Sequence, residues 1–299
     1  MSAASKSQHT DEDPRTRFRT FKSKDAHTIA YGDYGSADGL ALVFLHGSPG
    51  SRFEAADHDA LARDLGFRLI APERAGMGRS DPIPGQTMLQ GAQNVLDLLD
   101  HLNITQFSVA GYSGGAGHLY ALRHLAPDRI IAAADIAGFA PVADHPEVRR
   151  HLAVLDAIFM TIGRLAPIIF NLTFGFLVRA VRDPNPQQGN LAHLHADVSE
   201  ACRGGAEGPA QDAALLYGRW GFTLDDLPNG LLIYAADQDR FAPTAFAHWK
   251  ASQMPSSCCT IFDGVGHFGI TEHMPEIFAA LRCLASEVYL SQHPLTEGT

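Results

Sequence analysis

Between Ile104 and Leu125 the chain reads ITQFSVAGYSGGAGHLYALRHL, and this stretch decides the fold. In Ile104 to Ala110, Phe107 and Val109 alternate with polar residues, as in a short strand ending at Gly111. Ala116 to Leu125 places Leu119, Leu122 and Leu125 at helical spacing. Between them, Gly111-Tyr112-Ser113-Gly114-Gly115 forms a G-x-S-x-G pattern at a strand-to-helix turn. Such a turn strains the serine backbone and exposes its hydroxyl. Gly111 and Gly115 carry no Cβ, so strand and helix can approach closely. The Gly114 amide falls at a helix N-terminus, where N–H groups lack intrahelical partners and can hold an oxyanion. Ser113 is the candidate nucleophile.

Outward from this turn, strands alternate with helices. Phe18 to Ile29 and Ala30 to Tyr34 read as an opening pair of strands. Leu40 to Leu45 is a continuous apolar run, expected of a strand buried on both faces. Ala55 to Leu65 reads as a helix, Phe67 to Ala71 as a strand, and Leu89 to Leu102 as an amphipathic helix. Ile130 to Ile136, Leu231 to Ala236 and Thr260 to Phe262 read as further strands, and Pro275 to Leu290 as a closing helix. This alternation predicts an α/β fold with a mostly parallel, doubly wound sheet. From Val142 to about Pro228 it stops, and helices with polar breaks predict an insertion over the C-terminal edge of the sheet. The expected organisation is a disordered tail over 1–17, a core over 18–141 and 229–299, and a helical cap over 142–228.

Composition sets the class. The chain has 299 residues, 45% of them apolar and 19% charged, which suits a globular protein with a large core. A net charge of -10 argues against a nucleic-acid or anionic-membrane partner. Met1 to Arg17 is polar, without the apolar core of a signal peptide. The cysteines Cys202, Cys258, Cys259 and Cys283 form no C-x-x-C spacing, so free thiols in the cytoplasm are expected. The glycine-rich turn Arg74-Ala75-Gly76-Met77-Gly78-Arg79-Ser80 lacks a P-loop lysine and does not match G-x-G-x-x-G, which excludes a nucleotide reading. No metal-ligand set and no cofactor fingerprint is visible.

A serine hydroxyl is a weak nucleophile until a base takes its proton. Of the 15 histidines, His267 stands out, in a glycine-flanked loop directly after the last strand. Its ordinary pKa suits a general base near neutrality. His118, His124 and His273 read as structural, and His46 as ordering the loop it sits in. Asp237 and Asp239, both just after a strand, compete as the acid that orients the imidazole, with Asp135 as an outside alternative.

Taken together, these patterns resemble the α/β-hydrolase superfamily over nearly the whole chain beyond the tail. His46-Gly47-Ser48-Pro49-Gly50 is similar to its oxyanion loop, Arg74 to Ser80 to its R-x-G-x-G-x-S turn, Asp239 to Pro243 to its acid loop, and Gly266-His267 to its histidine loop. The chain order Ser, Asp, His is the one this fold uses. The resemblance implies Ser113, Asp239 and His267 as the triad, since Asp239 has the family spacing to Pro243. It implies the amides of Gly114 and Ser48 as the oxyanion hole.

Fold and triad do not fix the substrate. Ser113 stands where haloalkane dehalogenases and epoxide hydrolases carry an aspartate, and the elbow departs from the G-G-S-W-G of proline iminopeptidases. The expectation is a serine hydrolase cleaving a carboxylic ester, or a related acyl bond, of a small apolar molecule. Lactonase, iminopeptidase-like and carbon–carbon bond hydrolase activities remain open, as does a non-catalytic receptor on the same fold. Leu152 to Val181 is strongly apolar but interrupted by Arg164, Pro167 and Asn171, which argues against a membrane span. Tyr112 in the elbow and Phe159 and Phe170 in the cap are expected to line the substrate pocket.

Overall fold

A computed structural model describes residues 13–152, 158, 162, 169, 189–228 and 230–292. The strands are β1 (Arg19–Lys22), β2 (Thr28–Gly35), β3 (Leu40–Leu45), β4 (Phe67–Pro72), β5 (Phe107–Tyr112), β6 (Ile130–Ile136), β7 (Leu232–Ala236) and β8 (Cys258–Phe262). They form one sheet in the order β1-β2-β4-β3-β5-β6-β7-β8. β2 pairs antiparallel with both β1 and β4, and every later pairing is parallel. The sequence reading of a mostly parallel sheet therefore holds.

Parallel strands need crossovers, and the crossovers cover both faces. Helices Met88–His101 and Gly115–Leu125 bring Leu98, Leu99, Leu119 and Leu122 against Val43 and Val109 on one face. Helices Asp59–Asp64 and Met274–Gln292 close the other, where Phe278 meets Phe44 and Phe67. Burying each such side chain contributes about 1.5–3 kcal/mol. Thr87 starts the 88–101 helix with a capping box: its hydroxyl accepts from Gln90 N–H, and the Gln90 side chain accepts from Thr87 N–H.

Several local expectations shift. The alternation in β5 does not mark a half-exposed strand, because all six of its residues are buried at the centre of the sheet. The single helix read over Ala55 to Leu65 is two, Phe53–Ala56 and Asp59–Asp64. Between them His58 leaves the helical angles, and its ring packs on Phe44 and Phe278. Disorder expected as far as residue 17 is corrected for 13–17. Asp13 caps a short turn over Pro14–Thr16, and Arg15 and Arg17 pair with Asp57 and Asp59.

Between β6 and β7 the described elements are helices Pro146–Arg149, Gly189–Ala201 and Glu207–Tyr217. Gly208 lies so close to the Gly76 turn that a Cβ would stand 2.2 Å from Gly76 O. Phe159, Phe170 and most of the apolar run from 152 to 181 lie outside the described residues. Among the described residues no helix is long and apolar enough to cross a membrane.

Candidate active site

Three loops at the C-terminal ends of β5, β7 and β8 bring Ser113, Asp239 and His267 together. Ser113 Oγ lies 2.9 Å from His267 Nε2, and His267 Nδ1 lies 2.6 Å from Asp239 Oδ2. The other carboxylate oxygen, Asp239 Oδ1, accepts from the Phe241 and Ala242 N–H groups, each at 2.8 Å. The acid is thus fixed by its own loop as well as by the imidazole. Asp237 is turned away and accepts from Val265 N–H at 3.1 Å. Asp135 is remote from the imidazole and pairs with Lys250 and Tyr120.

Ser113 has a left-handed backbone, φ 52°. A β-carbon at Gly115 would stand 2.0 Å from Leu45 O, so the elbow helix can start only where a glycine lets it meet β3. Two hydrogen bonds grip the serine from the end of β6 and the turn after it: its N–H donates to Ile136 O at 2.8 Å, and its carbonyl accepts from Phe139 N–H at 3.1 Å.

Opposite the serine runs the loop after β3. A Cβ on Gly114 would meet Ser48 Cβ at 2.6 Å and Ser48 N at 3.3 Å, so the two amides are neighbours. Among the described residues neither N–H donates a hydrogen bond. Leu216, from helix Glu207–Tyr217, packs against the same point, 2.7 Å from that position. The Ser48 hydroxyl is buried and has no partner among the described residues.

A polar scaffold that the sequence reading did not anticipate holds this loop. Arg74 donates to the carbonyls of His46 (2.6 Å) and Gly47 (2.7 Å) and forms a two-point pair with Asp212. Asp212 also takes His118 Nε2 at 2.8 Å. Burial alone would push the Asp212 carboxyl up, but the Arg74 guanidinium and His118 hold it well below the usual range. His46 is driven well below its ordinary pKa by burial and by Arg74, which keeps it neutral. Its Nε2 can then accept from Arg74 N–H while Nδ1–H donates to Gly47 O.

Below the loop sit two buried carboxyls. Glu54 accepts from Gly47 N–H at 2.8 Å, and Asp197, on helix Gly189–Ala201, accepts from Ser51 N–H and Ser51 Oγ. The two carboxyls interact electrostatically, and Asp197 Oδ2 has no hydrogen-bond partner among the described residues. Burial pushes Asp197 up to about 7, and burial with the Asp197 charge raises Glu54 well above the carboxylate range. Beside them Arg52 is buried between Glu73 and Glu200. Helices 189–201 and 207–217 are thereby hydrogen-bonded to the loops around Ser48.

Tyr112, expected to line the pocket, packs beside the imidazole. Its buried ring stacks on His267 with centroids 5.5 Å apart, and its hydroxyl donates to His267 O at 3.2 Å. Arg74, Asp212, His118 and Leu215 also bound an internal cavity of about 30 Å³ that none of Ser113, Asp239 and His267 lines. Among the described residues no cluster of histidine, cysteine and acidic side chains could hold a metal ion.

A model of the Alpha/beta hydrolase family matches residues 42–281. A non-heme chloroperoxidase of Kitasatospora aureofaciens is 27% identical over 258 residues, covering 82% of this chain and 90% of that protein. One of Streptomyces lividans is 34% identical over 127 residues, 41% of this chain and 45% of that protein. The chain thus spans about half the length of that second relative. Among solved structures, a carboxylesterase of Nitrososphaera gargenis superposes with a TM-score of 0.69 at 17% identity, covering 91% of this chain and all of that one. An esterase of Exiguobacterium antarcticum gives 0.65 at 21%, covering 90% and 98%.

Proposed function

Because the chain belongs to the alpha/beta hydrolase family and is a hydrolase of that fold, we propose that it cleaves a carboxylic ester of a small, largely apolar molecule through an acyl-enzyme. One observation carries this reading: Asp239, His267 and the strained Ser113 hydroxyl stand in hydrogen-bonded line, 2.6 and 2.9 Å apart, beside two undirected amides. His267 takes the Ser113 proton as Oγ attacks the ester carbonyl. Asp239 orients the imidazole and stabilises its positive charge. The Ser48 and Gly114 N–H groups receive the developing oxyanion. His267 Nε2 then gives its proton to the departing alkoxy oxygen as the carbon–oxygen bond breaks. Water, deprotonated by the same imidazole, releases the acid and restores Ser113.

The segment 142–228 is read as a cap over this site, bound through Asp197, Glu200 and Asp212. The four cysteines are free thiols, which favours a cytoplasmic setting.

The reading is tested with a fluorophosphonate probe and nitrophenyl esters on the intact protein. Ester turnover, and an adduct that peptide mapping places on Ser113, are expected. Ser113→Ala should abolish both. Labelling at another serine, or none in folded protein, would refute the proposal.

A further inference from the structure

Phe241 and Phe268 are large apolar side chains left 51% and 47% exposed. Their rings touch, with centroids 5.8 Å apart and planes at 59°. Each also touches the imidazole of His267, at 5.2 and 5.3 Å. The chain fixes both positions: Phe268 follows His267 directly, and Phe241 N–H donates to Asp239 Oδ1 at 2.8 Å. Two adjoining phenyl rings therefore stand at the histidine with their outer surfaces in water. Apolar surface of this kind, contiguous with a reactive group, marks a binding place.

The reaction geometry says which part of a substrate belongs there. An ester carbonyl attacked by Ser113 turns its oxygen toward the Ser48 and Gly114 amides. Its alkoxy oxygen must come within hydrogen-bond reach of His267 Nε2 to receive the proton. Whatever that oxygen carries emerges on the histidine side of the site. One face of the imidazole is filled by the buried Tyr112 ring. Phe241 and Phe268 stand at the other sides of the same ring.

We infer that Phe241 and Phe268 form the leaving-group subsite and select esters of phenols and related aromatic alcohols. The inference rests on the esterase reading and adds the class of alcohol. Aromatic rings prefer tilted or edge-to-face contacts with centroids 4.5–7 Å apart. The tilted Phe241–Phe268 pair offers a third ring such a contact, whereas an aliphatic alcohol gains burial alone. In the step itself the ester carbon–oxygen bond breaks, the acyl carbon stays on Ser113 Oγ, and the His267 Nε2 proton passes to the phenolic oxygen.

The test compares phenyl acetate with a fluorinated alkyl acetate whose alcohol is as acidic as phenol, so that only recognition differs. The wild-type chain should favour the phenyl ester in kcat/KM by about tenfold, the scale of one or two aromatic contacts. In Phe241→Ala and Phe268→Ala the preference should fall toward unity, and Phe241→Tyr should retain it. Phenol should inhibit the wild-type enzyme competitively and more strongly than cyclohexanol, a readout that needs no variant to fold. Equal kcat/KM on the two esters, a preference untouched by both alanine variants, or equal inhibition by the two alcohols would overturn the subsite while leaving the esterase in place. Failure of every ester together with an unlabelled Ser113 would overturn both.

Discussion

Lys250 Nζ donates to the carbonyl oxygen of Gly138 across 2.7 Å, in the turn that holds Ser113 from behind. The same ammonium pairs with Asp135, whose Oδ2 also accepts from Tyr120 OH, and neither charged side chain is more than 1% exposed. Ile136 O and Phe139 N–H, either side of this clamp, bind the Ser113 backbone. A buried ion pair is therefore built into the support of the candidate nucleophile. It adds little net stability as a pair, but breaking it leaves an uncompensated charge.

Lys250→Met should accordingly cost about 3–5 kcal/mol of folding free energy and lower kcat, because the turn behind Ser113 loses its anchor. Adding Asp135→Asn should recover much of the stability, since no charge is then stranded. Urea unfolding of the wild type, both single variants and the double variant gives the coupling. Additive losses would show that the two side chains do not act as a pair.

Asp239→Asn should keep the fold and lower kcat by up to roughly 10⁴, the loss known for a triad acid. Asp237→Asn removes only an acceptor for Val265 N–H and should cost far less. Steady-state kinetics on one nitrophenyl ester ranks the two. The reverse order would move the acid to Asp237.

The candidate triad was legible because each member sits in a short local pattern where a strand ends. Turn chemistry at Ser113, Asp239 and His267 is written within a few neighbouring residues. The buried polar contacts were not legible. Asp197 meets Ser51 across 146 residues, Asp212 meets Arg74 across 138 and Lys250 meets Asp135 across 115. Pairing at such separations leaves no periodicity, and an acidic residue in a helix reads as a solvated face.

The Glu54–Asp197 pair makes stability depend on pH. Burial raises both carboxyls, Asp197 to about 7, above their values in the unfolded chain. Between pH 4 and 7 the native state then holds more protons than the unfolded state, so stability falls as pH rises. Each carboxyl that keeps its proton contributes at most about 1.4 kcal/mol per pH unit. Asp197→Asn removes one of the two raised carboxyls and should make the profile shallower over this window. Denaturation midpoints from pH 4 to 8 for both proteins would decide it. An unchanged slope would mean that native Asp197 is already ionised across this window.

Ser48 separates an amide role from a hydroxyl role. Its Oγ is buried without a partner among the described residues, so Ser48→Ala breaks no hydrogen bond and removes a hydroxyl that burial penalises. The variant should be at least as stable as the wild type and keep most of its kcat, because the backbone N–H stays where it was. Gly114→Ala should do the opposite. A methyl there would stand 2.6 Å from Ser48 Cβ and 2.7 Å from Leu216 Cδ1, and relieving those clashes must spread the two amides apart. Loss of one oxyanion donor generally lowers kcat by about 10²–10³, and this variant should approach that range. Measuring kcat and melting temperature for both tells the roles apart. A nearly inactive Ser48→Ala enzyme that melts normally would give the hydroxyl a part in the chemistry. A fully active Gly114→Ala enzyme would remove these amides from the oxyanion site.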